Sequence, residues 1–428
     1  MGEEEKIKNR GEQDPTLVSG CSLEYYIKKV ANFFNEKNYL SYSKKGVKMR
    51  KLIYFGLILS LFFYCGSKQE KIERIMENGV EVIVNHLEPY QVKDGPTTLT
   101  LEEECVIDTE REDLTDLGIS EIGAFDIDSE GNVYFISSSQ IFKFDKKGNF
   151  VKTFGKEGQG PGEFQRPANL GVNSKGEIAV IDIRNYKISF FQRDGTLIKE
   201  IKIKLLGIED GVPLENGNYL FMQRKIEASA EKLEGILSLF DSNFKKIKQL
   251  DKREFPNPAI GRELEATYHN LVWSLSKDEI FTGTQDRGYV INAYDFEGNL
   301  LRKIRKEYKR ILTSEEYKKK YMKQFEAPLF DPIRDRFYFP KSMPPFHYFL
   351  TDEEGRIFVM TYEEGENSDE YVFDIFNPKG VFICRKNLKD FSKEAVLKGK
   401  FKNNRLYCVY EKESGFEKLV AYKVIWKK

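Results

Sequence analysis

The sequence predicts an all-β fold in which four-stranded units close into a ring. Three observations predict it. Phe and Tyr number 33 and 23 among 428 residues, an aromatic excess that favours strands. From about residue 120 onward one grammar recurs: strand, polar turn, alternating strand, third strand, Gly turn, fourth strand. The last unit stops after three strands, while a lone strand stands upstream of the first.

The units follow in order. Unit one runs from Gly123 to Gly155, unit two from Ala168 to Ile203, and unit three from Gly211 to Asp251. Unit four spans Asn270 to Lys306, unit five His347 to Asn387, and unit six Glu394 to Lys428. The turn from third to fourth strand falls at Gly148, Gly195, Ser242-Asn243, Gly298 and Gly380. Gly and Asn tolerate the positive φ of tight hairpins. The intervals are 47, 48, 55 and 82 residues. The first three match the period of a four-stranded blade, so the last hides an insertion of roughly 30 residues.

That insertion is expected over about 306–345. RILTSEEYKKKYMKQFEA has helical composition, and Thr313 with Glu316 has capping-box spacing, so a helix is expected over 313–326 with Thr313 as its cap. The inner strands are read as AFDID, LGVNS, VPLEN, LVWSL, YFLTD and AVLKG, apolar in their middles with acidic residues at the trailing turns. Residues 97–107, TTLTLEEECVI, supply the missing fourth strand of unit six. An open ring would leave exposed edges, and this pairing removes them. The expected architecture is a six-bladed β-propeller over 97–428.

Residues 155–170 read GKEGQGPGEFQRPANL. A phosphate loop needs GxxxxGK[ST], but Pro161 and Gly162 stand where Lys and Ser/Thr belong. A dinucleotide fingerprint needs a helix behind its glycines, and two strands follow here. The stretch is expected to be the crossing from one blade's outer strand to the next blade's inner strand, with Pro167 fixing the entry.

Upstream, KKGVKMRK (44–51) precedes LIYFGLILSLFFY (52–64) and then Cys65. Thirteen apolar residues behind a basic run fit an export signal better than a span of the roughly 30 Å bilayer core. Met49 is a natural start, so residues 1–48 are expected to be an over-extended N-terminus or disordered, 49–65 a signal peptide, and 66–96 a stalk. Cys21, Cys65, Cys105, Cys384 and Cys408 form no CxxC pair, so no zinc or redox motif is indicated. After export, Cys105, Cys384 and Cys408 meet an oxidising space that permits a disulfide between two of them, with no pairing specified.

From Gly158 to Gly195 the chain reads GQGPGEFQRPANLGVNSKGEIAVIDIRNYKISFFQRDG. This stretch resembles an NHL-repeat propeller unit, strongly in unit two, moderately in unit one, and by strand rhythm elsewhere. Cys65 behind the apolar run is similar to a bacterial lipoprotein signal. Leu61 suits the lipobox, whereas Phe62 and Tyr64 stand where small residues are usual. The chain therefore resembles the bacterial six-bladed propeller lipoproteins of the NHL-repeat class over about three quarters of its length. The resemblance implies export and membrane anchorage through lipidated Cys65. An uncleaved signal anchor is the alternative.

Rigid scaffolds carry function on their loops. The positions facing the loop side of the ring are Arg166, Arg184, Asn185, Tyr186, Arg224, His269 and Arg287. Four are arginines, suited to an anionic ligand through bidentate contacts. The bland reading is that the arginines pair with neighbouring carboxylates, and that Asp182 and Asn185 hydrogen-bond their own turn. Trp273 and Trp426 read as inter-blade core.

The expected function is a binding scaffold for an envelope protein, peptide or glycan, acting as a monomer, with no cofactor, no metal and no catalytic residues assigned. The alternative is a channel-mouth hydrolase or lyase, lactonase-like or lyase-like and dependent on a divalent metal. Only His86, His269 and His347 exist to serve a zinc site, and no G-x-S-x-G elbow occurs. Lys+Arg and Asp+Glu both total 68, so no global field draws nucleic acid, and RNA binding of the kind some NHL propellers show is not expected.

Overall fold

Turns centred on Asp and Asn set the blades. At Asp128, Asp145, Asn173, Asp241, Asp295, Asp352 and Asn377, the side-chain Oδ1 accepts the backbone N–H groups two and four residues on. The fourth residue of the turn takes a positive φ. It is glycine in six of the seven, as at Gly148 with φ 81°, where a side chain would be disfavoured. The exception is Phe244, with φ 62°. The sequence placed that turn on Ser242-Asn243. Instead Phe244 adopts the strained angle, and its buried ring, stacked on Tyr219 at 5.0 Å, offsets the strain.

In the computed structural model, the described residues are 72–90, 98–225, 231–257, 260, 263–267, 271–365, 370–388 and 398–427. Four-stranded antiparallel blades follow one another. Blade 1 holds Phe125–Ile127, Val133–Ser137, Gln140–Phe144 and Phe150–Phe154. Blade 2 holds Pro167–Val172, Ile178–Asp182, Lys187–Phe191 and Leu197–Lys202. Blade 3 holds Ile208–Pro213, Tyr219–Lys225, Lys232–Phe240 and Lys246–Pro256. Blade 4 holds Val272–Leu275, Ile280–Gly283, Val290–Tyr294 and Leu300–Lys306. Blade 5 holds Tyr348–Thr351, Ile357–Glu364, Tyr371–Phe376 and Phe382–Leu388.

Blade 6 takes Gly399–Lys402, Arg405–Glu411 and Glu417–Lys427 from the C-terminus and Thr98–Asp108 from the N-terminus. The N-terminal strand runs antiparallel to Glu417–Lys427, from Thr98 opposite Lys427 to Asp108 opposite Lys418. The ring is thus closed as the sequence predicts.

The core is six clusters, one between each pair of neighbouring blades. Phe164 and Val180 lie in the cluster between blades 1 and 2, and Phe221 and Ile188 in that between 2 and 3. Leu237 and Ile280 join blades 3 and 4, and Phe281 and Phe376 join 4 and 5. Phe358 and Cys408 join 5 and 6, and Phe135 and Tyr407 join 6 and 1. Trp273 and Trp426 pack on two of these clusters. Each blade therefore buries both faces only when its neighbours are present, which makes closure a condition of stability.

Two expectations need correction. The first is the stalk. Within 66–96, Glu73–Glu77 and Val80–Asn85 form a hairpin that extends blade 4, with Val80–Asn85 parallel to Leu300–Lys306. Its turn is Asn78-Gly79, both at positive φ, the pair that a tight hairpin favours. Ile83 joins the core cluster of blades 5 and 6. Asn85 is fully buried, donating to the Gly380 carbonyl (3.0 Å) and accepting from Phe382 N–H (2.8 Å).

The second concerns the insertion. Its helix spans Glu315–Lys323, and the cap is Ser314, whose Oγ accepts the Tyr317 N–H at 3.0 Å. Thr313 donates to the Pro340 carbonyl instead (2.6 Å). The helix packs Tyr317 and Tyr321 on Phe325, Phe337 and Phe339. Leu264–Glu265 pairs in parallel with Phe337–Tyr338, tying the insertion to the connection before it.

Cys105, Cys384 and Cys408 are free thiols. Burial raises all three above the ordinary thiol value, Cys384 to about 11. The apolar run 52–64, Cys65 and Cys21 lie outside the described residues. Among the described residues no helix is long and apolar enough to cross a membrane.

Candidate functional site

Strand direction divides the molecule's loops into two sets. Turns between first and second strands, and between third and fourth, lie on one face, here the turn face. Connections between blades, and between second and third strands, lie on the other, the loop face.

On the loop face, blade 2 builds a platform from one buried carboxylate. Asp182 ends the second strand and is fully buried. It accepts the backbone N–H groups of Gln165 (2.7 Å), Arg166 (3.1 Å), Arg184 (3.0 Å) and Asn185 (3.0 Å), and the Asn185 side-chain amide (2.9 Å). Asn185 also donates to the Gly158 carbonyl (2.9 Å). The glycine-rich crossing is satisfied from within. Lys187 Nζ donates to the Gly160 carbonyl (2.8 Å) and to Glu200 (2.7 Å), and Glu200 accepts the Gly162 N–H (3.0 Å). Phe164 fills the space beneath, and a Cβ on Gly155 would lie 2.7 Å from its ring. The crossing is a connector, as its sequence context indicated.

This platform presents Arg166, Arg184 and Tyr186. Both arginines are exposed, and neither guanidinium makes an ion pair among the described residues. Tyr186 is 44% exposed and held at φ 49°. Asn185 belongs to the scaffold rather than to the exposed surface.

The other predicted positions separate. Arg224 Nε pairs with Glu209 at 2.7 Å and lies 5.3 Å from the centre of the Phe255 ring. It also lines an open depression of about 410 Å³ with Leu206, Gly207, Gln223, Lys225 and Ile236. Arg287 is bidentate to Asp251 (2.7 and 2.6 Å), which also accepts from Thr282 at 2.6 Å. Asp251 raises the Arg287 pKa against the opposing effect of burial. The structure therefore keeps two of the four arginines free and commits two. His269 lies outside the described residues.

The inner strands hold a polar set that the sequence reading missed. Asp126 lies mid-strand in blade 1, accepting Val172 N–H from blade 2 (2.8 Å) and pairing with Lys400 of blade 6 (3.2 Å). Asn169 of blade 2 donates its side-chain amide to Asp210 of blade 3, which also accepts Gly211 N–H (2.7 Å). Burial pushes the Asp210 carboxyl above its ordinary value, while Asn169, Gly211 and Lys400 act in the opposite direction. Tyr348 of blade 5 is pushed up to about 12 by burial and by the Asp210 charge. Ser274 and Thr351 bridge blades 4 and 5 at 2.8 Å. Acid, base, amide and phenol thus meet along the inner strands. Among the described residues no three His, Cys, Asp or Glu side chains gather as a metal would require.

A family model described as a 6-bladed β-propeller, DUF5128, matches residues 117–331. The chain belongs to that family. The ring itself runs on beyond the matched residues, since blades 5 and 6 complete it.

The human E3 ubiquitin-protein ligase TRIM32 is 44% identical over 63 residues, 15% of this chain and 10% of that protein. Protein lin-41 of Caenorhabditis elegans is 40% identical over 50 residues, 12% of this chain and 4% of that protein. The chain therefore spans a tenth or less of these relatives. Among solved structures, a Bacteroides fragilis NCTC 9343 protein described as exported has 16% identity and a TM-score of 0.50, covering 81% of this chain and all of that one. A DUF4221 member from Bacteroides vulgatus has 11% identity and a TM-score of 0.45, covering 78% of this chain and all of that one. The family match and the first of these structures agree on the propeller fold.

Three inner strands were misplaced, and this hid the polar set; blade 2 begins at Pro167, not at Leu170. Blade 3 begins at Ile208, not at Val212, and blade 6 at Gly399, not at Ala395. The register shift between Ile208 and Asp210 breaks the alternation that would have marked the blade 3 strand. Asp126 was in view, but the apolar residues around it led to a reading of the strand middles as apolar.

Proposed function

We propose that this chain is a cell-envelope lipoprotein of the NHL-repeat class, whose propeller is a binding scaffold for an anionic segment of a protein, peptide or glycan. The observation that carries this is the blade 2 platform. Asp182 fixes the backbone of Arg166 and Arg184, so their exposed, uncommitted guanidiniums are presented from a rigid base. Such pre-organisation lowers the ordering cost of binding. Tyr186 beside them offers a rigid amphipathic contact of the kind that anchors interfaces. Export rests on the signal-like segment before Cys65, with lipidation of that cysteine, or an uncleaved anchor, holding the body at the membrane.

Cross-linking of the full chain in its own envelope, followed by partner recovery, tests the reading. Arg166→Ala with Arg184→Ala is expected to lower recovery at least tenfold, since charged contacts at pre-organised sites contribute about 1.5–3 kcal/mol each. Arg224→Ala, whose charge is already paired, serves as the control. Equal recovery from all three proteins would end this assignment.

A second reading draws on the inner strands. Burial shifts the Asp210 carboxyl toward the protonated form that a general acid uses, and Lys400 and Tyr348 supply a charge and a phenol nearby. On this reading the chain is a hydrolase or lyase working at the channel. Turnover of a lactone or polysaccharide panel that disappears in Asp210→Asn would favour it over the scaffold.

A further inference from the structure

Exposed apolar side chains are sorted by face. Among the described residues, those in the tight turns of the turn face contribute none of the large exposed hydrophobics. Five lie on outer strands or the added hairpin, as Val151 and Ile198 do, and the other ten all lie on the loop face. The insertion between blades 4 and 5 holds two of the most exposed, Leu312 at 76% and Leu329 at 73%. With the exposed Tyr308 and Tyr338, four large exposed hydrophobics are concentrated on this one small unit.

Charge accompanies them. From Glu307 to Phe346 there are nine lysines and arginines against six carboxylates. Lys309, Arg310, Lys319, Lys320 and Lys323 are exposed. None of the five makes an ion pair among the described residues, whereas Lys318 is held by Glu315 at 2.6 Å. Exposed leucines among uncommitted cations match the boundary between headgroup and acyl chain in an anionic bilayer.

The chain's course links this unit to the Cys65 segment. Glu73 begins the added hairpin on the loop face, where His86 lies 3.7 Å from Glu73 and 3.3 Å from Glu307, the first residue of the insertion. Glu73 is eight residues after Cys65, no more than about 29 Å of extended chain. The sequence therefore ties any anchor at Cys65 to within that length of Glu73.

We infer that the insertion, through Leu312, Leu329 and the cations of its helix, docks on an anionic phospholipid surface and turns the blade 4–5 side of the loop face toward the membrane. The orientation rests on the lipoprotein reading. The docking surface stands on its own residues. Blades 1 and 2 lie across the ring from the insertion, so the Asp182 platform stays open to a partner.

Tryptophan fluorescence on vesicles tests this. The full chain carrying Leu312→Trp, or Lys146→Trp on the turn face, is bound to phosphatidylglycerol-rich vesicles with and without brominated acyl chains. Quenching is expected at 312 and not at 146. Binding is expected to weaken about fivefold for each of Lys319, Lys320 and Lys323 changed to Ala. Vesicle-bound protein quenched at neither position would overturn the docking and return the surface to a protein partner. Quenching at 146 alone would reverse the face. Intact mass of protein from its own cells reads the anchor separately. A Cys65 without lipid, with position 312 still quenched, would fail the anchor and retain the docking.

Discussion

The two faces of this propeller are built on different principles. The turn face repeats one device: an Asp or Asn folds its own short turn, and a residue with positive φ closes it. Each turn is folded by its own residues, and single side chains, such as Arg193 on Glu130 and Ser174 on Glu215, link it to the turns of the next blade. On the loop face, single residues hold several segments at once. Asp182 collects two loops of blade 2, and Glu417 joins Ile122 N–H (2.5 Å) to Lys398 (2.5 Å) across blades 6 and 1. Local turns specify a fold and leave little for function, whereas long-range hubs hold loops whose outer side chains are free for contact. The exposed leucines and uncommitted arginines gather on the loop face for that reason.

The largest effect tests closure, on which both faces depend. Deleting Thr98–Asp108 exposes the edge of Glu417–Lys427 and removes Leu99 and Ile107 from two core clusters. No cooperative thermal transition is expected, with aggregation through the open edge. A deletion variant that melted cooperatively would show that five and three-quarter blades suffice.

The next test compares the faces directly. Asp182→Ala strands four backbone N–H groups in a buried site, and the expected cost is at least about 3 kcal/mol in urea unfolding. Asp295→Ala removes a turn of the same chemistry from the turn face, where water replaces the lost acceptor, and the expected cost is about 1 kcal/mol. Equal losses would erase the distinction between hub and local turn.

The same distinction explains what the sequence disclosed. The Asp-Gly turns are short-range signals, so strand order, blade count and closure by residues 97–107 could be read from spacing alone. The crossing at 155–167 could be read as a connector because both flanking strands were plain. Long-range partners leave no such trace. Nothing near Arg287 in sequence announces Asp251, and nothing near Asn85 announces Gly380. The hairpin at 73–85 did carry a signal, since Asn78-Gly79 sits between two runs of alternating apolar residues, but the polar lead-in hid it. Ser314 displaced Thr313 as helix cap because the Pro340 carbonyl claims the Thr313 hydroxyl, a contact 27 residues distant. Asp210 and Lys400 were lost when their strands were placed several residues off.

Asp210 gives the smallest effect, and it separates a structural inner strand from a chemical one. Burial raises its pKa above the ordinary carboxylate value near 3.8. As pH rises from there, the unfolded chain releases its proton first, so the folded state binds more protons and stability falls through the folded pKa. The contribution is fully present below pH 3.8 and absent well above the raised value. Asp210→Asn keeps an oxygen at the Oδ1 position to accept both Gly211 N–H and the Asn169 side-chain amide, while its N–H₂ takes the place of Oδ2. The variant is expected to match the wild type in acid and to melt slightly higher at pH 7, because it no longer buries a charge. A difference between the two melting curves that stayed constant across pH would mean that Asp210 ionises as an ordinary carboxylate. It would then be a stitch between blades 2 and 3, and the general-acid reading of the channel would lose its proton.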